Sequence, residues 1–394
     1  MFARVLSRRK LLGQAALGAL ALATACAPVA GPVPGGAEAP AVEPGAPVPV
    51  ALLVPAGSPT ESDNFVAQNL ENAARLAIGD LSGVEIDLRV YATGGDPQQA
   101  AAVAQTAVAE GAAIILGPLR AEEANAVGVA VADSGVNVLA FSNNPTIAGG
   151  NVFVLGPTFR NSAERLIRYG RGQGIDRYLV AHGNDLGGTL GRDAIQAAAA
   201  ANGATVTGVQ TYPLSQQGIQ QAASGIAAAA TSTGAQAIFT TADSTVDLPF
   251  LAAALPEAGL PAGTVRMVGL TRWDVTPQVL TQPALQEGIF AIPDTTLSEA
   301  FESRYEAAYG GTPLPIAALA YDGIAAIGAL AQRGGGAALS RSALLQGQGF
   351  QGTAGIFRFL PDGTNQRGLA VATVRNNQVV ILDPAPRSFA GAGA

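Results

Sequence analysis

From residue 48 onward, short apolar runs alternate with longer segments whose apolar residues recur at helical spacing. The run 48–55 reads as a buried strand. It is followed by a helix over 64–81, with Phe65, Leu70, Ala74, Leu76 and Ile78 on one side. A strand over 84–91 and an Ala-rich helix over 98–110 come next, the latter opened by Pro97 as a first-turn proline. Strands over 112–117 and 136–141 flank a helix over 122–133. This β-α-β-α-β-α-β order predicts a parallel sheet with helices on both faces.

A second series repeats the pattern. Strands are expected at 178–182, 205–212, 237–241 and 266–270, with helices at 192–201, 219–231 and 248–258. Extended segments at 152–155 and 289–292 flank this series. Helices at 299–309 and 316–332 follow it, and the chain ends in β at 355–359, 369–374 and 379–382. Asn376-Asn377 between the last two strands reads as a hairpin turn. The expectation is two α/β lobes. Such sheets bind ligands beyond the carboxyl ends of their strands.

The first 47 residues carry no such alternation. Residues 4–10 are basic, 11–23 are apolar, and Ala23-Thr24-Ala25-Cys26 follows. This is the layout of a secretory signal, expected over 1–25. A Cys after two small residues resembles the bacterial lipoprotein box, which makes Cys26 the expected lipidation site and new N-terminus. Ala27 after it suggests sorting to an outer membrane. Ser7-Arg8-Arg9-Lys10-Leu11-Leu12 also resembles a twin-arginine export motif. Residues 26–47 are Ala, Pro, Gly and Val with little else, a composition that makes a semi-rigid tether reaching about 60 Å at ~3.1 Å per residue.

Composition narrows the chemistry. The net charge is -7, and loss of the leader would remove four basic residues and no acid, which disfavours nucleic acid as a partner. Cys26 is the single cysteine and Lys10 the only lysine, so neither an internal disulfide nor a thiol or Lys nucleophile is available beyond the leader. One histidine, His182, excludes a His-cluster zinc site and reads as a strand residue. The loop 182–188 lacks Gly-x-Gly-x-x-Gly, so no cofactor is expected, and no enzyme.

Several segments in order resemble the leucine-binding-protein-like periplasmic proteins: 50–55 with the following Asn69, Ala73-Ala74 and Ala77; Asp96-Pro97; 114–119; 136–142 with Asn144-Pro145; Ala320-Tyr321-Asp322; 350–355; and Asp362-Gly363. The resemblance runs over 48–385. It implies a type I periplasmic-binding-protein fold, two doubly wound parallel-sheet lobes joined by three crossing strands near 156–159, 289–294 and 350–355. The lobes would be 48–157 plus 292–352, and 158–291 plus 353–387. The lipobox, the tether and Arg367-Gly368-Leu369 look most like the penicillin-binding protein activators, lipoproteins that regulate peptidoglycan synthases. The alternative is a substrate-binding lipoprotein that delivers a small solute to an ABC transporter permease.

The resemblance places the ligand-cleft candidates at Arg120, Ser142, Asn143, Asn144, Asp185, Asp243, Thr271, Arg272 and Trp273. The turn that holds a ligand carboxylate in amino-acid-binding relatives has no hydroxyl here, reading Arg120-Ala121-Glu122-Glu123. The acid that pairs with a ligand ammonium would fall near Thr271, and none is there. An α-amino-acid pocket is therefore not expected. Ser142–Asn144 either bind ligand or cap a turn, Asp243 either binds or caps the next helix, and Arg272-Trp273 either form a cleft-mouth or partner anchor or pack into the fold.

Overall fold

Alanine-rich helices can approach a sheet closely because they carry little side-chain bulk, and this sets the architecture of the computed structural model. It describes residues 40–43 and 45–389. The expected leader, Cys26 and most of the tether lie outside the described residues. All described residues fall in one unit, Gly36–Ala394.

The first lobe is built from β1 (Val48–Val54), α1 (Glu61–Asp80), β2 (Ile86–Ala92), α2 (Pro97–Ala109), β3 (Ile114–Leu116), α3 (Ala121–Ala130), β4 (Asn137–Ala140) and β5 (Val152–Val154). Its strands are parallel in the order β2-β1-β3-β4-β5. On α2 the buried face is Ala100, Ala104 and Ala107, at i, i+4 and i+7. Asp96 caps that helix by accepting from the Gln99 N–H at 2.8 Å, with Pro97 in the first turn.

The second lobe continues with α4 (Phe159–Gly172), β6 (Arg177–Gly183), α5 (Leu186–Ala201), β7 (Thr205–Tyr212), α6 (Gln216–Ser232), β8 (Ala237–Thr240), α7 (Leu248–Glu257), β9 (Arg266–Gly269) and β10 (Ile289–Ile292). The parallel order β7-β6-β8-β9-β10 repeats that of the first lobe. Both sheets therefore reverse direction of winding beside their first strand, between β1 and β3 and between β6 and β8. Those are the switch points where open α/β sheets bind ligands.

The chain then returns to the first lobe through α8 (Thr295–Tyr309) and α9 (Ala317–Gln332), whose buried faces join the β1 core. A small antiparallel sheet follows, β11 (Phe350–Gly352), β12 (Gly355–Phe359) and β13 (Asn365–Arg367). The hairpin β14 (Ala370–Arg375) and β15 (Gln378–Asp383) closes the second sheet, β14 antiparallel to β10. Asn376 and Asn377 both have positive φ, 51° and 64°, as a two-residue hairpin turn demands.

The small sheet moves the third crossing. It was expected at 350–355 but lies at Gly368–Leu369, between β13 and β14. Phe350, Phe357 and Phe359 stack on one another and join the first lobe's core with Leu116, Phe141 and Phe153. The apolar side chains of 353–367 therefore join the first lobe's core, while Asn365 O also accepts from Asn161 of α4 at 2.9 Å. Burial of the phenylalanines decides this, and an alternating strand pattern alone does not say which sheet it serves.

Polar bonds tie the crossings together. Asn365 donates to the carbonyls of Val154 and Gly156, both at 2.8 Å. Arg367 donates to Leu155 O at 2.5 Å and to Asp322 Oδ2 at 3.2 Å. Asp322 Oδ1 in turn accepts the Thr353 N–H at 2.7 Å and its hydroxyl at 3.0 Å. A Cβ on Gly352 would sit 2.7 Å from the Asp322 carboxylate, so only glycine fits there.

Candidate functional site

The switch point of the first lobe is a charged cluster. Arg120 is the residue before α3, delivered there by the short β3. Its Nη2 donates to both oxygens of Asp63, at 2.7 and 2.8 Å. Ser58 donates to the same carboxylate at 2.7 Å. Glu123 is fully buried behind them. It accepts from the Thr93 hydroxyl at 2.6 Å and from the Arg120 backbone N–H at 3.2 Å. The Arg120 bond, then the Ser58 bond, hold the Asp63 carboxyl below its usual range, and Asp63 raises Arg120 in return. Arg120 Nη1 is buried without a hydrogen bond, 3.9 Å from Glu123.

The switch point of the second lobe carries Asp185 and Asp243. Asp185 caps α5 by accepting the Gly188 N–H at 3.0 Å. Asp243 accepts the Thr245 N–H and hydroxyl at 2.7 and 2.5 Å. Below it, buried Asp247 accepts the Tyr212 hydroxyl at 2.7 Å and the Asp243 N–H at 2.6 Å. Burial first, then the Asp247 charge, pushes the Tyr212 hydroxyl's pKa far up. Exposed apolar side chains stand after this edge, Leu186 at the start of α5 and Val246 and Val275 on loops.

Most of the remaining candidates bond to near neighbours. Ser142 Oγ accepts the Asn144 N–H at 3.1 Å, and Asn144 Oδ1 accepts the Thr146 N–H at 3.0 Å, so this loop caps a turn. Asn143 stays exposed. Thr271 donates to Ala242 O at 2.7 Å. Arg272 pairs with Asp274 at 2.5 Å. His182 lies in β6 with both ring nitrogens in hydrogen-bond contact, to Gly183 O at 2.7 Å and Thr211 Oγ1 at 2.9 Å.

Of the two readings left open for Trp273, its burial matches packing into the fold and not a cleft-mouth aromatic. It is 0% exposed and packs against Phe290 with ring centroids 5.1 Å apart. Gly269 and Gly288 leave the slot it fills, and a Cβ on Gly288 would lie 2.8 Å from the indole. Burial of a large aromatic outweighs its unpaired Nε1.

Sequence reasoning missed Asp63, Ser58, Thr93 and Glu123. Glu123 was legible as the third residue after the helix-capping Arg120. Asp63 is 57 residues from Arg120 and only the sheet order brings them together. A cavity of about 640 Å³ flanks the first crossing, walled by Asn143 and Pro145 from the first lobe, Thr158 and Phe159 from the crossing, and Leu190 and Ala194 from α5. Among the described residues there is no group of His, Cys, Asp and Glu able to hold a metal ion. None of the described helices is long and apolar enough to cross a membrane.

The comparisons with known proteins agree with this geometry. No curated protein matches the chain by sequence. A structure described as a branched-chain amino acid ABC transporter from Rhodospirillum rubrum is 20% identical, with a TM-score of 0.71 over 86% of this chain and 100% of its own. The ABC transporter substrate-binding protein from Desulfitobacterium hafniense, solved with Leu, is 16% identical, with a TM-score of 0.59 over 86% and 100%. A solute-binding protein from R. palustris, solved with benzoate, is 16% identical, with a TM-score of 0.56 over 89% and 99%. The sequence profile of the family described as periplasmic binding protein matches residues 47–378. With two doubly wound lobes, three crossings and a family match across nearly all of the described fold, the chain belongs to the periplasmic binding protein family.

Proposed function

We propose that this chain is the solute receptor of an ABC transporter, held at the membrane through Cys26, and that its solute lacks a free carboxylate. One observation carries the ligand class. The first lobe's switch point sets two carboxylates, Asp63 and Glu123, against the guanidinium of Arg120, which already grips Asp63 through both oxygens, and the second lobe's switch point adds two more acids, Asp185 and Asp243. A ligand carboxylate would have to displace Asp63 and face the remaining acids, an arrangement that loses a buried charge's partner. Leucine and benzoate, the ligands named for two structural neighbours, both carry that group. The exposed Leu186, Val246 and Val275 favour an apolar body on the solute. The reading is non-catalytic. The names of the structural neighbours support the transporter over the synthase regulator that the lipobox and tether suggested first.

Thermal melting tests it. A ligand at about 100 times its Kd adds roughly 2.7 kcal/mol. Leucine and benzoate are expected to give no shift, and 3-methylbutylamine, which is leucine without its carboxylate, an upward one. A reproducible upward shift of about 4 °C with leucine or benzoate refutes the ligand class. A second reading, regulation of a peptidoglycan synthase, is favoured by the internal bonding of nearly every polar group at the switch points. Purification of the lipoprotein from detergent-solubilised envelope separates the two. Transporter membrane subunits are expected to co-purify, and recovery of a synthase without them overturns the transporter reading.

A further inference from the structure

The loops that follow β1, β2 and β3 meet at the first lobe's switch point, and the carboxylate they hold there belongs to the chain itself. Asp63 comes from α1, Gly95 from the loop after β2 and Arg120 from the turn before α3. The Asp63 carboxylate is bound as a ligand's would be. One guanidinium nitrogen donates to both of its oxygens, at 2.7 and 2.8 Å, and the Ser58 hydroxyl adds a third bond at 2.7 Å. Gly95, at φ 71°, closes over the pair, and a Cβ there would lie 2.5 Å from Arg120 Nη1 and 3.3 Å from Asp63 Oδ2. The Arg120 side chain is still 38% exposed, so solvent reaches the guanidinium, whereas that of Asp63 is 12% exposed.

We propose that Asp63 determines the solute class: it fills, from within the chain, an anion place that would otherwise receive a carboxylate from solution. This role rests on the reading of the chain as a receptor for solutes without a free carboxylate, and it names the residue responsible. The fold already accommodates a carboxylate here beside buried Glu123, which is 3.9 Å from Arg120 Nη1. Exchanging the internal carboxylate for an external one therefore leaves the local charge balance unchanged. While Asp63 is present, a second carboxylate meets a guanidinium already paired and two acids beside it. Asp63 also lies in the first turn of α1, where an acid offsets the helix dipole. Loss of stability in a variant is expected on either account, and gain of carboxylate binding only on this one.

Asp63→Ala removes the carboxylate and leaves room for formate. The purified full chain is melted in about 100 mM formate and in the same concentration of chloride. Formate should raise the Tm of Asp63→Ala by about 2 °C, the effect of a ligand at roughly 10 times its Kd, and leave wild type unmoved. Formamide, the neutral analogue, should move neither. In titration calorimetry benzoate should not bind wild type up to about 10 mM and should bind Asp63→Ala with a Kd below about 1 mM, at least a 10-fold gain. Adding Arg120→Gln to Asp63→Ala should abolish both effects. If Asp63→Ala does not fold in chloride, its refolding yield from urea in formate against chloride is the readout, and equal yields overturn the proposal. No formate effect on the variant, an equal effect on wild type, a gain that survives Arg120→Gln, or formate binding without benzoate binding would each overturn it. Benzoate binding to wild type refutes the ligand class as well, whereas no binding to either protein refutes only the role of Asp63.

Discussion

Replacing Asp322 by asparagine removes one charge from the junction of the lobes and almost no volume. Asp322 and Arg367 are 1% and 6% exposed at the side chain, and their closest approach is 3.2 Å. The asparagine oxygen can still accept from Thr353, so the bonds at 2.7 and 3.0 Å are preserved. What changes is that the Arg367 guanidinium is left buried with the Leu155 carbonyl and the Phe357 ring, 5.2 Å away, but no anion. Breaking a buried pair from one side costs about 3–5 kcal/mol. At ~2.1 cal/mol/K per residue over roughly 345 folded residues the unfolding entropy is ~0.7 kcal/mol/K, so Tm should fall by about 4–7 °C. Thermal and urea unfolding followed by circular dichroism measure it. The double substitution Asp322→Asn, Arg367→Met should cost less than the sum of the singles by about 1–3 kcal/mol, because the stranded charge is gone. A loss under about 1 kcal/mol for Asp322→Asn, or strict additivity in the double, refutes the assignment of this pair as the junction's ionic tie.

Trp273→Ala should destabilise the second lobe by about 3–5 kcal/mol, as truncating a fully buried aromatic does, and lower the urea midpoint without altering what co-purifies with the protein. The Arg120 bond lowers the Asp63 carboxyl, so its stabilisation is present above the unfolded value near 3.9 and is lost as pH falls through the folded value. Asp63→Asn should therefore be less stable than wild type at pH 7 and show a shallower acid limb below about pH 4 in unfolding measured against pH. Cys26→Ser should move the protein from the membrane fraction to the soluble periplasmic fraction. A wild-type protein already soluble there excludes the anchor.

Periodicity made both sheets legible, because a buried parallel strand and a helix with one apolar stripe leave local signatures. The strand 136–141, the helix opened by Pro97 and the Asn376-Asn377 turn are examples, each dictated by nearest neighbours in the chain. The ambiguous polar residues were equally local. Ser142–Asn144 bond within a turn, whereas Asp243 accepts from Thr245 two residues on and leaves the cap position of α7 to Asp247.

Tertiary structure alone decided three matters. It carried 353–367 to the first lobe, since the fate of Phe357 and Phe359 depends on which core has room for them. It buried Trp273, since the slot is made by Gly269 and Gly288 from separate strands and loops. It also set Asp63 against Arg120, 57 residues apart in the chain. Hydrophobic period and capping act over a few residues, so sequence reports them directly. Charge pairing and cavity shape depend on which distant elements become neighbours, and that is settled only when the whole apolar surface has been buried at once.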